Sequence, residues 1–375
     1  MTKHMTKHVT TSAMEQMVDS TGVLVCCGSG GVGKTTTAAA IAVEEARLGR
    51  RVVVITIDPA KRLADALGMS GRLGNEPIRL ELPDDHPGEL WATMLDAKET
   101  FDALVRREAR TTRQADEILA NPFYVNIASR LSGSQEYMAA EKLFELLDDD
   151  RFDLVVVDTP PSREALDFLD APKKLTNFLD QRVYRWLVAP ARGGLKIVNF
   201  AAQPILRTIG RVIGADVLAD AVEFFRAFEG IEDGFRDRAR RVDRLLRSDE
   251  TKYVVVASPR SDTVSEAVYF TEQLQRAGVA TSGLVINRVQ PMFGRGSSKS
   301  ATTNARRAEK DGDGDLALLH ENLAHLRAIG EAEEECLAPL FDRLPDVPVA
   351  RVAQRADDVH DLATIADIGA SILGR

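Results

Sequence analysis

The sequence predicts an α/β fold: a doubly wound, mostly parallel sheet with a helical insertion subdomain. Three observations predict it. Short apolar runs at Val23–Cys27, Val52–Ile57, Leu154–Val157, Tyr253–Val256 and Leu284–Ile286 alternate with longer stretches of helical character. The runs are continuous rather than alternating, which suits parallel strands covered on both faces. The first run ends in a glycine-rich turn, Gly28-Ser29-Gly30-Gly31-Val32-Gly33-Lys34-Thr35, followed by Thr36-Thr37-Ala38-Ala39-Ala40-Ile41. That turn fits G-x-x-x-x-G-K-[ST] with a strand before it and a helix after it.

Taken in order, residues 1–20 read as a loose, flexible N-terminal arm, with His4 and His8 in a repeated, solvated Thr-Lys-His. Residues 21–375 form the main domain. Thr35 to Leu48 read as a helix closed by Gly49, and the strand over 51–57 delivers Asp58-Pro59-Ala60 at its carboxyl end, where ligands bind in such sheets. Leu90 to Leu95 is a further strand. Residues 98–147 are a helical insertion broken at Asn121-Pro122 and Ser132-Gly133-Ser134. The next buried strand ends in Asp158-Thr159-Pro160-Pro161, with an acidic residue where Walker-B chemistry requires one.

Residues 163–247 form a second helical insertion, rich in apolar side chains such as Leu175, Phe178, Trp186, Ile205, Phe224, Phe225 and Phe228. Such a stretch is the core of a subdomain by default, because helices apolar on several faces are normally buried, and a groove for an apolar client otherwise. A helix from about Asp262 to Ala277 separates the strands at 253–256 and 284–286. Residues 293–315, rich in Gly, Ser, Asp and Lys, read as a mobile loop. A charged helix over 316–340, a strand over 347–352 and a closing helix over 358–373 complete the chain, with no internal repeat.

The totals narrow the function classes. A length of 375 residues suffices for one large α/β domain with insertions. A formal net charge of −9 argues against a nucleic-acid partner held by a broad basic surface. Three cysteines, two of them adjacent on the first strand, with no CxxC, indicate neither a disulfide framework nor a structural zinc site. No run of about 18 apolar residues and no signal-peptide core occur, so the chain reads as cytoplasmic, serving a membrane only from its inner face.

The turn carries the chemistry. Glycines stand where the backbone must bend tightly and approach an anion. Successive N–H groups then point at the β- and γ-phosphates, aided by the helix N-terminus. Lys34 adds a point charge to the same oxygens, and the Thr35 hydroxyl suits Mg²⁺.

These residues resemble those of the ArsA-type anion-transporting ATPases and their relatives that target tail-anchored membrane proteins. Both belong to the SIMIBI class of P-loop proteins, alongside the MinD/ParA ATPases. The loop Gly30-Gly31-Val32-Gly33-Lys34-Thr35-Thr36 resembles the class signature. Asp58-Pro59-Ala60 followed by Leu63, Asp65 and Leu67 resembles switch I. Asp158-Thr159-Pro160-Pro161-Ser162 resembles switch II, with Pro160 where the family usually has alanine, and Val285-Ile286-Asn287 resembles the segment whose asparagine reads adenine. The resemblance implies a dimeric ATPase using ATP and Mg. It also implies that Asp58 orients the attacking water, that Asp158 holds a magnesium-bound water, that Thr36 contacts the α-phosphate and that Asn287 contacts the base.

Three departures qualify it. The class carries a second lysine directly after the loop's first glycine, reaching the partner's phosphates; here that residue is Ser29. Relatives place a carboxylate where this chain has Arg260. The zinc clasp of the eukaryotic targeting factors and the metalloid-binding cysteines of ArsA are missing, and the chain holds one nucleotide unit where ArsA has two. A homodimer should therefore bind ATP well and hydrolyse it slowly, with a heterodimer containing a lysine-bearing paralogue as the preferred working form. The helical insertion would engage a membrane transporter or a hydrophobic client segment. Alternatives are a catalytically weak regulatory subunit, a targeting chaperone, and a ParA/MinD-like positioning ATPase. The chaperone reading is weakened by the absence of methionine from residues 163–247. For the positioning ATPase, the C-terminal apolar face (Leu362, Ile365, Ile368, Ile372) is more simply packed on the sheet.

Overall fold

The structure, a computed structural model, describes residues 12–58, 62–69, 71, 73–82, 86–125, 134–160, 167–180, 215–291, 293–356, 359 and 361–375. An eight-stranded sheet is its frame, in the order β3-β4-β2-β5-β1-β6-β7-β8. The strands are β1 (Val23–Gly28), β2 (Arg51–Thr56), β3 (Ile78–Leu80), β4 (Glu89–Met94), β5 (Leu154–Asp158), β6 (Thr251–Ala257), β7 (Thr281–Val289) and β8 (Val349–Ala353). Every pairing is parallel except β3 on β4 at one edge. The chain leaves β1 toward β2 on one side of the sheet and leaves β5 toward β6 on the other, so the carboxyl ends of the neighbouring β1 and β5 flank a topological switch point.

Register brings the strand ends together. Cys26 and Thr56 both pair with Asp158, and Gly28 pairs with Val256. Side chains alternate between the faces, and both faces are covered. Leu24, Cys26, Val52, Val54, Val156 and Val254 face one core. That core is closed by α2 (Lys34–Arg47) and by α13 (Leu362–Leu373) through Ile365, Ile368 and Ile372. Val23, Val25, Cys27, Val53, Ile55 and Val155 face the other core, against α6 (Ser134–Leu147) and α10 (Ser261–Arg276). The C-terminal helix thus packs on the domain, as its apolar spacing suggested.

A third core belongs to the helical insertions. It gathers α4 (Ala97–Glu108), α5 (Thr112–Leu119), α6, α7 (Ala171–Asp180), α8 (Ala215–Ala227) and α9 (Glu232–Leu246). Phe224, Phe225, Phe228 and Phe235 are buried here with Tyr124, ring against ring at centroid distances of 4.9 to 6.2 Å. For Phe224, Phe225 and Phe228 the core reading therefore holds over the groove. The side chain of Phe178 lies outside what is described, as do Trp186 and Ile205. The fully buried Glu141 of α6 accepts from Arg107 of α4 at 2.5 Å and from Arg238 of α9 at 2.9 Å. This ties both insertions to the helix that leads into β5, and removing one partner of such a buried pair leaves an uncompensated charge.

Two expectations are corrected. The arm over 1–20 is not loose throughout: Ser12–Asp19 is a helix, α1. Met14 and Val18, one helical turn apart, are buried in the core beside Ile368 and Leu373, while residues 1–11 are outside the described set. The polar Thr-Lys-His repeat obscured that short apolar stripe. Residues 293–315 are not a mobile loop over most of their length: Ser298–Lys310 is a helix, α11, opened by a capping box between Ser297 and Ser300. Ala301, Ala305 and Ala308 recur at helical spacing and are buried along α12 (Gly314–Arg343), a helix about 45 Å long. Composition pointed to disorder there, while alanine spacing and the serine cap decided for helix.

Candidate functional site

The turn between β1 and α2 is built by glycines with little latitude. Gly28 has φ 150° and any Cβ there would meet the Val256 carbonyl oxygen at 2.3 Å. Gly33 has φ 91° and its Cβ would stand 2.2 Å from the Asn287 amide nitrogen. Ser29 leads into the turn, Gly30 and Gly31 are exposed at its crest, and Val32 is buried beneath it. Asn287 leaves the carboxyl end of β7 and donates from Nδ2 to the Val32 carbonyl at 2.9 Å, so the expected base-contacting residue also braces the loop.

Lys34 is buried, with Nζ donating to the Ser29 carbonyl at 2.8 Å across the loop. Burial lowers its pKa, opposed by the Asp158 carboxylate. Thr35 and Thr36 follow on the first turn of α2, both half-buried. The Thr35 hydroxyl donates to Asp158 Oδ2 at 2.8 Å. Thr56 donates to the same oxygen at 3.1 Å, and its Oγ1 accepts from the Asp58 backbone N–H at 3.2 Å. Thr159 donates back to the Cys26 carbonyl at 2.8 Å, locking the end of β5 onto β1. Pro160 follows, half-buried; Pro161, the last of the expected switch II residues, lies outside the described set.

The structure therefore brings the P-loop, Asp58 and Asp158 to one place. Thr56 is the residue that sequence reasoning missed. It stands in an apolar strand and reads as strand, although a hydroxyl two residues before a strand-end aspartate is a visible signal. Arg260 pairs with Asp262, two residues on, at 3.2 Å at the start of α10.

Electrostatics suit a metal-bearing anion. Asp158 Oδ2 takes both hydroxyl bonds, while its buried Oδ1 has no hydrogen-bond partner among the described residues. A buried carboxylate oxygen without a partner, beside a threonine hydroxyl, is a donor set that fits Mg²⁺ or its water shell. Burial pushes Asp158 from 3.8 up to about 6. Burial also raises the thiols of Cys26 and Cys27, the latter to about 12, so neither offers a thiolate to a metal near neutral pH.

The sign of the Asp158 shift gives a test. The folded carboxyl holds a proton that the unfolded one has lost, so its contribution to apo stability is fullest below 3.8 and lost as pH rises through about 6. Metal binding runs the other way, because it requires the ionised form. MgATP affinity measured by calorimetry should strengthen roughly tenfold between about pH 5 and 7, and Asp158→Asn should flatten that dependence.

A P-loop at the switch point of a doubly wound sheet, with aspartates at the ends of the two strands next to it, β5 and β2, defines a P-loop nucleotide-binding protein. The family described as Anion-transporting ATPase matches residues 21–310, and the chain belongs to that family. An uncharacterized protein of Streptomyces coelicolor is 31% identical over 269 residues, covering 72% of this chain and 62% of the relative. The "Putative arsenical pump-driving ATPase 1" of Aquifex aeolicus is 25% identical over 276 residues, covering 72% of this chain and 63% of the relative. ATPase GET3 of Malassezia globosa is 25% identical over 270 residues, with 71% and 72% covered. The match thus spans less than two thirds of the length of the first two. Among the described residues, no helix is long and apolar enough to cross a membrane.

Proposed function

We propose that the chain is a Mg-dependent, ATP-binding and ATP-hydrolysing dimeric switch that works on the cytoplasmic side of a membrane. Its nucleotide state is coupled to the helical subdomain, which engages a membrane-associated partner or client. One observation carries the reading: Asp158 Oδ2 joins Thr35 of the loop to Thr56, whose hydroxyl holds the Asp58 backbone. A change at the phosphates is felt at once by β2, β5 and the helices beyond them.

The γ-phosphate would lie against the loop N–H groups and Lys34, with Thr36 on the α-phosphate and Asn287 beside the base. Asp58 orients water and takes its proton as the new P–O bond forms. The bond to the β–γ bridging oxygen breaks, and ADP leaves with the electron pair. Thr35 would hold Mg²⁺, with Asp58 and Asp158 acting through water, and the ion would neutralise charge on the β- and γ-oxygens. Phosphoryl transfer asks for positioning and charge compensation, which is what these residues offer.

Ser29 favours a second reading. A serine hydroxyl cannot replace an ammonium directed at a partner's phosphates, so the active form would be a heterodimer with a lysine-bearing paralogue and this chain its regulatory half. The relatives' names point to arsenical pumping for one and to the GET3 ATPase for another. An ATP-loaded pull-down from cells, using the slow-turnover variant Asp58→Asn, tests the coupling. Capture of a membrane protein or a paralogue with ATP, and its loss with ADP, is expected. Identical captures with either nucleotide would contradict the switch.

A further inference from the structure

The phosphate end of this site holds one cation within the loop, Lys34, and an uncharged serine where a second is expected. Arg62, the first residue of α3 (Arg62–Ala66), lies at the same end. Its Nη1 is 3.6 Å from Asp58 Oδ2, an ion pair between residues four apart. The guanidinium side chain is 59% exposed against 17% for the carboxylate, so Arg62 sits at the mouth and Asp58 deeper. A contact of that length on an exposed side chain is a weak tether, readily exchanged for a stronger anion. Arg62 also lies close enough to Lys34 to lower its pKa, a minor contribution beside burial. Two cations converging on one end of an anion-binding loop repel each other until a polyanion separates them.

We propose that Arg62 is a catalytic residue of this same ATP site, leaving Asp58 to pair with the γ-phosphate oxygens of its own subunit and supplying the charge that Ser29 cannot. The proposal rests on the reading that the chain binds and hydrolyses ATP. Its consequence is that this chain needs no lysine-bearing paralogue for turnover. The guanidinium fork can donate two parallel hydrogen bonds to phosphate oxygens, which an ammonium cannot match. Moving Arg62 off Asp58 also releases that carboxylate from the ion pair so that it can turn toward the attacking water, and one exchange would stabilise the leaving charge and position the base. A cation delivered within the subunit plays the part that an arginine finger plays in related chemistry.

The test uses the full chain as wild type, Arg62→Ala, Arg62→Lys and Lys34→Ala, with saturating MgATP, phosphate release for turnover and calorimetry for binding. Arg62→Ala should lower kcat by about 10²- to 10³-fold while the ATP Kd moves less than about fivefold and the melting temperature is unchanged. Arg62→Lys should recover only part of the loss. Mixing Arg62→Ala with Lys34→Ala subunits should restore nothing, because cation and nucleotide must share a subunit. A kcat within about threefold of wild type in Arg62→Ala overturns the proposal, as does restored turnover in the mixture, which would place the cation in trans. Wild type that binds MgATP but turns it over only with a lysine-bearing paralogue also overturns it, while leaving the nucleotide-binding reading intact. Failure of wild type to bind MgATP removes both.

Discussion

Lys34→Ala should cost MgATP affinity at least about a hundredfold. The ammonium is buried under the loop and spans it to the Ser29 carbonyl, so it is held ready for an anion rather than swinging in solvent. Each hydrogen bond from a charged donor contributes about 1.5–3 kcal/mol, and removing two such bonds to phosphate exceeds the roughly 2.8 kcal/mol that a hundredfold represents. Burial already disfavours the charged form, and a phosphate beside it would reverse that. The variant should fold, since alanine continues α2 and removes a buried charge. Calorimetry gives the affinity and circular dichroism checks the fold.

Asp58→Asn should separate binding from turnover. Asparagine keeps the size of the side chain and the backbone N–H that donates to Thr56, so the entry to the site is preserved. It cannot take a proton from water. Loss of a positioned general base lowers the rate by about 10²- to 10⁴-fold, so phosphate release should fall by that factor with ATP affinity little changed. Stopped-flow measurement of a single turnover reads this directly. An unchanged single-turnover rate would assign the aspartate to anchoring Arg62 and the start of α3 alone.

Much of this site was legible because its parts sit at the ends of conspicuous strands. Five apolar runs located the central strands, and the acidic residues following two of them marked the ligand end of the sheet. Glycine spacing and Lys34-Thr35 then named the loop. What escaped notice did so for physical reasons. β3 is three residues long, and its antiparallel pairing with β4 leaves no apolar run to read. α1 owes its place to the buried Met14 and Val18, the half-buried Met17 and a bond from Arg375 to Glu15, rather than to strong propensity.

Contacts distant in sequence were the least accessible. Thr56 reaches Asp158 across 102 residues and Asn287 reaches Val32 across 255, joined only by strand register. Neither side chain looks unusual in its own neighbourhood. Arg62 shows the same limit from the other side: its identity was visible, while its pairing with Asp58 beside Lys34 was not.

The account depends on the loop after β1 taking a nucleotide triphosphate, and a calorimetric titration of the intact chain with ATP tests that most directly. Saturable, one-to-one heat that strengthens when Mg²⁺ is added is the predicted result. A flat titration from a chain whose melting curve shows it folded would contradict it.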